Sequence, residues 1–141
     1  MKALKGVQKL VENGILRELY LHWNLLTKAS LDSLFQSLED NCALRVLDLS
    51  WNDLSGTAPR LNAFFAANKH LLHLDISHAN LVASDTLILK KGLDCNHTIL
   101  GVHFQGNAGY TDYIFNSKGM WTQGNLFMWA KRPNWQRRCI A

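Results

Sequence analysis

Six histidines stand in this chain of 141 residues, and four of them (His22, His73, His78 and His103) fall where a repeated strand would turn them to one face. With Asp48 and Asp75 they form a set of oxygen and imidazole donors, the chemistry that holds zinc or moves protons. The spacing argues against both uses. No HExxH, CxxC or HxH run is present, and neither a glycine-rich phosphate loop nor a nucleophile elbow accompanies them. An open sheet also lacks the enclosing pocket that such chemistry needs. The reading is therefore no catalytic residue, no metal and no cofactor. His70 and His97 each follow an asparagine at the end of a helical stretch, where an imidazole suits the helix C-terminus.

The elements that position these residues come from a repeat. Three lines overlay: Leu16-Arg-Glu-Leu19-Tyr-Leu21-His-Trp-Asn24-Leu-Leu26, Leu44-Arg-Val-Leu47-Asp-Leu49-Ser-Trp-Asn52-Asp-Leu54 and Leu71-Leu-His-Leu74-Asp-Ile76-Ser-His-Ala79-Asn-Leu81. A weaker fourth is Ile99-Leu-Gly-Val102-His-Phe104-Gln-Gly-Asn107, and the starts lie 28, 27 and 28 residues apart. A second marker precedes each line by three residues, at Asn13, Asn41, Asn68 and Asn96. Two independent markers in phase over four turns establish the repeat.

Each part of the unit has a physical reading. Period-two alternation points Leu19 and Leu21 inward, as in a short strand. Asn24, Asn52 and Asn107 follow the strands where the chain turns inward, and their amides can satisfy main-chain groups as a ladder through the stack. Between strands, Leu31/Leu34/Phe35/Leu38 and Leu61/Phe64/Phe65 recur at helical spacing, with Pro59 suited to a first turn. The third helix, around residues 86–94, is interrupted by Lys90-Lys91-Gly92 and is expected to fray. Asn13, Asn41, Asn68 and Asn96 fall at helix ends, a position that favours a left-handed asparagine.

One such unit cannot bury its own apolar face, so units stack. The predicted class is α/β: a solenoid with a short parallel sheet on its concave face and helices on its convex face. The unit LxxLxLxxNxL resembles the ribonuclease-inhibitor-like leucine-rich repeats over residues 2–107. That resemblance implies a curved, intracellular, protein-binding solenoid. Relatives of this repeat class include regulators of small GTPases and of actin, though no residue here points to either. Ala79 departs from the ladder, which predicts a looser turn or a bound water there. Gly109 stands where Leu26, Leu54 and Leu81 stood, so the repeat ends. Residues 2–12 read as a helix without its strand, leaving the strand near Leu19 as a bare edge. Another chain covers that edge, or the sequence is a piece of a longer one.

Two regions follow: residues 1–107, four repeats with the first incomplete, and residues 108–141, a non-repeat cap or docking tail. The first carries ten Lys/Arg against ten Asp/Glu. The second holds Lys118, Lys131, Arg132, Arg137 and Arg138 against Asp112 alone, so it accounts for the net charge of +4. It also crowds together Tyr110, Tyr113, Phe115, Trp121, Phe127, Trp129 and Trp135. Without an RNP, KH or zinc signature, this mixture points to a cap or a protein-docking segment, not to nucleic acid. No apolar run approaches the ~20 residues that span a bilayer, and the N-terminus lacks a secretory signal. Three cysteines without a CxxC pair suit free thiols in a reducing, cytoplasmic setting, with cytoskeletal association allowed.

Register also lists the outward positions, strand by strand: Glu18, Tyr20, His22 and Trp23; Val46, Asp48, Ser50 and Trp51; His73, Asp75, Ser77 and His78; Gly101, His103, Gln105 and Gly106. Stacked, they give one column of Tyr20, Asp48, Asp75 and His103 and another of Trp23, Trp51, His78 and Gly106. The second is costly to leave in water and is the kind of anchor interfaces use, unless its rings merely cap the turns. The paired aspartates favour a basic partner, unless they are simply two solvated carboxylates. The functional expectation is a non-enzymatic protein-interaction module that binds through Tyr20, His22, Trp23, Asp48, Trp51, His73, Asp75, His78 and His103. The alternative is a structural subunit of a cytoskeletal or ciliary assembly, held by its ends and tail. Its bare first strand predicts self-association or dependence on a neighbour.

Overall fold

The computed structural model describes residues 2–107, 126–131 and 137–140. Four helices, α1 (Lys2–Glu12), α2 (Lys28–Glu39), α3 (Ala58–Ala67) and α4 (Ala83–Cys95), alternate with β1 (Glu18–Tyr20), β2 (Val46–Asp48), β3 (His73–Asp75) and β4 (Gly101–His103). The four strands pair in parallel and in chain order, as the repeat predicts, with Leu19, Leu47, Leu74 and Val102 in one register row. Those residues are buried between the sheet and the helices, while Glu18 and Tyr20 on either side of Leu19 are exposed. Two further strands, β5 (Leu126–Lys131) and β6 (Arg137–Ile140), continue the sheet beyond β4 in antiparallel pairing. Of the aromatic and basic tail, Tyr110, Tyr113, Phe115, Trp121, Trp135, Lys118 and Arg132 lie outside the described residues.

Helical spacing buries the stripes it predicts. Leu31, Leu34, Phe35 and Leu38 of α2 meet Leu61, Phe64 and Phe65 of α3, with the Phe35 and Phe64 rings stacked at 5.7 Å. Thr27 caps α2 by accepting the Ser30 N–H, and Pro59 occupies the first turn of α3. The helix expected to fray, α4, differs from expectation. It runs unbroken over Ala83–Cys95, and Asp85 accepts the Val82 N–H at its start. Gly92 is the reason α4 can lie so close to α3, because a Cβ there would sit 2.6 Å from the Asn62 carbonyl oxygen. A residue that weakens an isolated helix thus secures its packing.

The helix-ending asparagines also differ. Asn68 (φ −73°) and Asn96 (φ −92°) are extended, not left-handed, and after α1 the left-handed residue is Gly14 (φ +66°). Extended backbone frees the amide to work across units. Asn41 donates to the Val11 carbonyl and accepts from the Ala43 and Leu44 N–H groups. Asn68 donates to the Leu38 and Asn41 carbonyls and accepts from the His70 and Leu71 N–H groups. Asn96 repeats this with Phe65, Asn68, Thr98 and Ile99. These three side chains form a buried ladder where the chain enters β2, β3 and β4, while Asn13, before β1, is exposed.

Candidate concave binding face

Where the chain leaves each strand, the Asn52 Oδ1 accepts the Asn24 and Leu26 N–H groups, both at 3.1 Å, while its amide nitrogen donates to the Leu21 and Leu49 carbonyls. Asn107 does the same for Ala79 and Leu81, donating to Ile76 and Phe104. The rung between them carries Ala79, which is fully buried; its carbonyl accepts the Leu54 N–H at 3.0 Å, so main chain takes over one of the two N–H groups that an asparagine there would accept. Asn24 is exposed and donates only to the His22 carbonyl at 2.9 Å.

This framework holds the concave residues in the columns that register predicts: Tyr20 aligns with Asp48, Asp48 with Asp75, and Asp75 with His103. The aspartates are already engaged. Asp48 Oδ1 accepts the N–H and hydroxyl of Ser50 at 2.9 and 2.7 Å, and Asp75 holds Ser77 in the same way at 2.9 and 2.6 Å. Ser50 and Ser77 are consequently buried rather than outward-facing. The repeated Asp-x-Ser spacing was the available signal, since an aspartate side chain favours the N–H two residues on. The first unit has no such serine, and its His22 instead reaches across to Asp48 Oδ2 at 3.0 Å. These bonds leave the carboxylate charge in place but occupy oxygens that a partner would otherwise meet.

His73 and His103 bring their rings to 4.6 Å at a tilt of 57°. Partial burial holds the His73 imidazole below its ordinary value, and the neighbouring His103 adds to the effect against the pull of Asp75 and Asp48. Tyr20 donates to Glu18 Oε2 at 2.8 Å, and that bond to the carboxylate raises the phenol above its usual range. Among the described residues, no three His, Cys, Asp or Glu side chains converge as a metal site.

The second column is a continuous stack. Trp23 lies on Trp51 at 4.5 Å and 11°, and Trp51 lies on His78 at 4.1 Å and 12°. The stack ends at Gly106, where a Cβ would collide with the His78 ring. The indoles both pack together and remain partly exposed, Trp23 at 65% and Trp51 at 43%. A shallow groove of about 350 Å³ runs beside them, between Leu25, Trp51, His78 and Asn80. Sequence reasoning missed the backbone beneath the rings. Trp23, Trp51 and His78 all adopt left-handed conformations, at φ +56°, +57° and +51°. Only the glycine at the fourth position, Gly106 (φ +75°), hinted at this.

Comparison with known proteins bears on the fold. The family model described as Leucine Rich Repeat matches residues 43–63. The chain is similar in structure to Leiomodin-1 Actin-Binding Site 2, with a TM-score of 0.66 and 18% identity, over 75% of this chain and 61% of that one. It thus spans about three fifths of that leiomodin-1 chain. It is similar also to the C-terminal domain of a Caenorhabditis elegans tropomodulin, with a TM-score of 0.65 and 14% identity over 81% of this chain and 70% of that one. A search among curated proteins finds no match.

Proposed function

We propose, for a chain that is of leucine-rich-repeat type, that it is a non-enzymatic protein-binding module of the ribonuclease-inhibitor-like class, gripping its partner through the concave face. The observation that carries this reading is the ring stack. A left-handed backbone costs a non-glycine residue about 1–2 kcal/mol. Each stacked aromatic pair returns only about 0.5–1.5 kcal/mol. Three strained residues against two stacked pairs leave no net stabilisation, while a broad apolar strip stands in water. Such an arrangement suits a binding anchor better than a structural cap.

Residues 1–107 form the module and residues 108–141 its cap or docking tail, with β5 laid on β4 in support of a capping role. Tyr20, His22, Trp23, Asp48, Trp51, His73, Asp75, His78 and His103 form the binding face. We place the protein in the cytoplasm. Cys42 and Cys95 are free thiols, and no described helix is long and apolar enough to cross a membrane. A second reading, a subunit of a cytoskeletal assembly, draws on the structural likeness to a site named for binding actin. Self-association through the β1 edge belongs to that reading.

The experiment is a pull-down with the intact chain, followed by affinity measurement on the identified partner, and co-sedimentation with actin filaments in parallel. Trp23→Ala with Trp51→Ala should remove about 2–4 kcal/mol of affinity, tens-fold or more, and leave the fold intact. Arg137→Ala with Arg138→Ala should matter mainly at low salt. Binding lost with the arginines and kept without the tryptophans overturns the concave reading in favour of the subunit.

A further inference from the structure

Residues 1–107 balance their charges overall, but the concave side does not. Its strand positions and following turns, at 18–24, 46–53, 73–80 and 101–107, hold the carboxylates of Glu18, Asp48, Asp53 and Asp75 and no lysine or arginine. Arg17 and Arg45, one residue before β1 and β2, are turned to the rim, where they donate to the carbonyls of Ala43, Cys42 and Leu44. The basic groups that share the face with the carboxylates are imidazoles: His22, His73, His78 and His103.

These imidazoles are interleaved with the acids. His22 Nδ1 meets Asp48 Oδ2 at 3.0 Å. His73 stands in register between Val46 of β2 and Gly101 of β4, its ring 4.6 Å from that of His103, with Asp75 and Asp48 the carboxylates that act on it. His103 is in register with Asp75 on one side and Leu126 of β5 on the other. His78 stacks on Trp51 and lines the shallow groove together with Asp53. Ser50 and Ser77 take Oδ1 of Asp48 and Asp75, so Oδ2 is the oxygen that each turns to a partner, that of Asp48 shared with His22. Neighbouring strands set the two aspartates about 4.8 Å apart. The negative charges of this face are thus permanent and its positive charges conditional, because histidine is the side chain that gains charge between about pH 8 and 5.

Resting on the concave reading, we propose that the partner presents a basic segment whose arginines or lysines meet Asp48 and Asp75, and that acidification releases it by charging the histidines. With the imidazoles neutral, four carboxylates attract the segment. With all four charged, the face carries no net charge. A charged His22 closes Asp48 Oδ2 as an ion pair, and charged His73 and His103 set two cations beside Asp75. Partial burial and the neighbouring His103 delay the charging of His73, which extends the release to lower pH. An acidic partner would show the opposite trend.

The test titrates the full chain into a fluorescein-labelled octapeptide, RSRSRSRS, and follows anisotropy at about pH 7.5, 6.5 and 5.5 in about 50 mM salt. The acidic peptide ESESESES is the control, and circular dichroism confines the comparison to pH values at which the chain is folded. Saturable binding of the basic peptide is expected at the highest pH. It should weaken about ten-fold on acidification, each exposed charge being worth about two-fold. Asp48→Asn with Asp75→Asn keeps the Oδ1 atoms that Ser50 and Ser77 use and should weaken binding about ten-fold at the highest pH. His22→Gln with His73→Gln and His103→Gln should shrink the ratio of affinities across the pH range to about two-fold, whatever either affinity is. No saturation by about 1 mM basic peptide overturns the proposal, as does an affinity independent of pH or a preference for the acidic peptide. Peptide binding that ignores the Asp→Asn pair but falls with Trp23→Ala and Trp51→Ala overturns this proposal alone. A pulled-down partner that ignores both pairs overturns the concave reading, and this proposal with it.

Discussion

Asn68 offers the sharpest test of what holds the repeats together. It is 2% exposed and makes four hydrogen bonds, accepting from His70 and Leu71 at 2.9 and 2.8 Å and donating to Leu38 and Asn41 at 2.8 and 3.1 Å. Asn68→Ala deletes all four, but not all four groups are left stranded. The Leu38 carbonyl keeps the Asn41 N–H, and the half-buried His70 N–H can find water. The Leu71 N–H and the Asn41 carbonyl lose this amide in buried surroundings. At about 1–3 kcal/mol for each such group, and with water reaching part of the space, the cost should be about 3 kcal/mol. For a domain of this size that corresponds to a fall in Tm of about 10 °C. Thermal and urea unfolding followed by circular dichroism would measure it. Asn68→Asp keeps both acceptances but sets a carboxylate against two carbonyl oxygens, so it should be no milder. Asn24→Ala, at the exposed end of the other ladder, should cost about 0.5 kcal/mol or less. A Tm within about 2 °C of wild type for Asn68→Ala would refute the ladder argument.

Two further outcomes follow. Gly92→Ala should destabilise by about 1–3 kcal/mol, because overpacking against the Asn62 carbonyl outweighs the gain of about 1 kcal/mol in helix propensity; a rise in Tm would show that α3 and α4 can move apart. For His73, the unfolded chain takes up a proton near 6.5 while the folded chain does so only at lower pH, so the unfolded state binds more protons in between. Stability should therefore fall as pH drops below about 6.5, levelling once the folded site also protonates, and His73→Gln should flatten that part of the profile in urea titrations.

The strands, the two buried stripes of α2 and α3 and the concave columns were legible because each depends on periodicity, which a single chain displays. Gly92 was not, since its value lies in the approach of Asn62 from another helix. The asparagines after each helix announced themselves by position, but their conformation depends on carbonyls supplied by the preceding repeat. Ala79 looked like a defect for the same reason: the group that replaces the amide is its own main chain, which no residue type signals. The aspartates fall in the predicted column, but the freedom of their oxygens was overrated, although the serines two residues on stood in plain view. The strained backbone beneath Trp23, Trp51 and His78 was masked by the rings themselves, which draw attention to side-chain chemistry.

The two ladders also act as a ruler. Eleven residues separate Asn13 from Asn24, Asn41 from Asn52, Asn68 from Ala79 and Asn96 from Asn107, without exception. The arcs that return through the helices run 17, 16 and 17 residues. All the length variation between repeats therefore falls on the convex half, where a helix can gain or lose a residue by rotating its exposed face. An insertion between two ladder positions has no such outlet, because the spans are tied to neighbouring units by the amides of Asn41, Asn52, Asn68, Asn96 and Asn107 and by the main chain of Ala79. The inner surface thus keeps a constant metric from one repeat to the next, and a partner meets the same spacing at each step while the outer surface is free to drift.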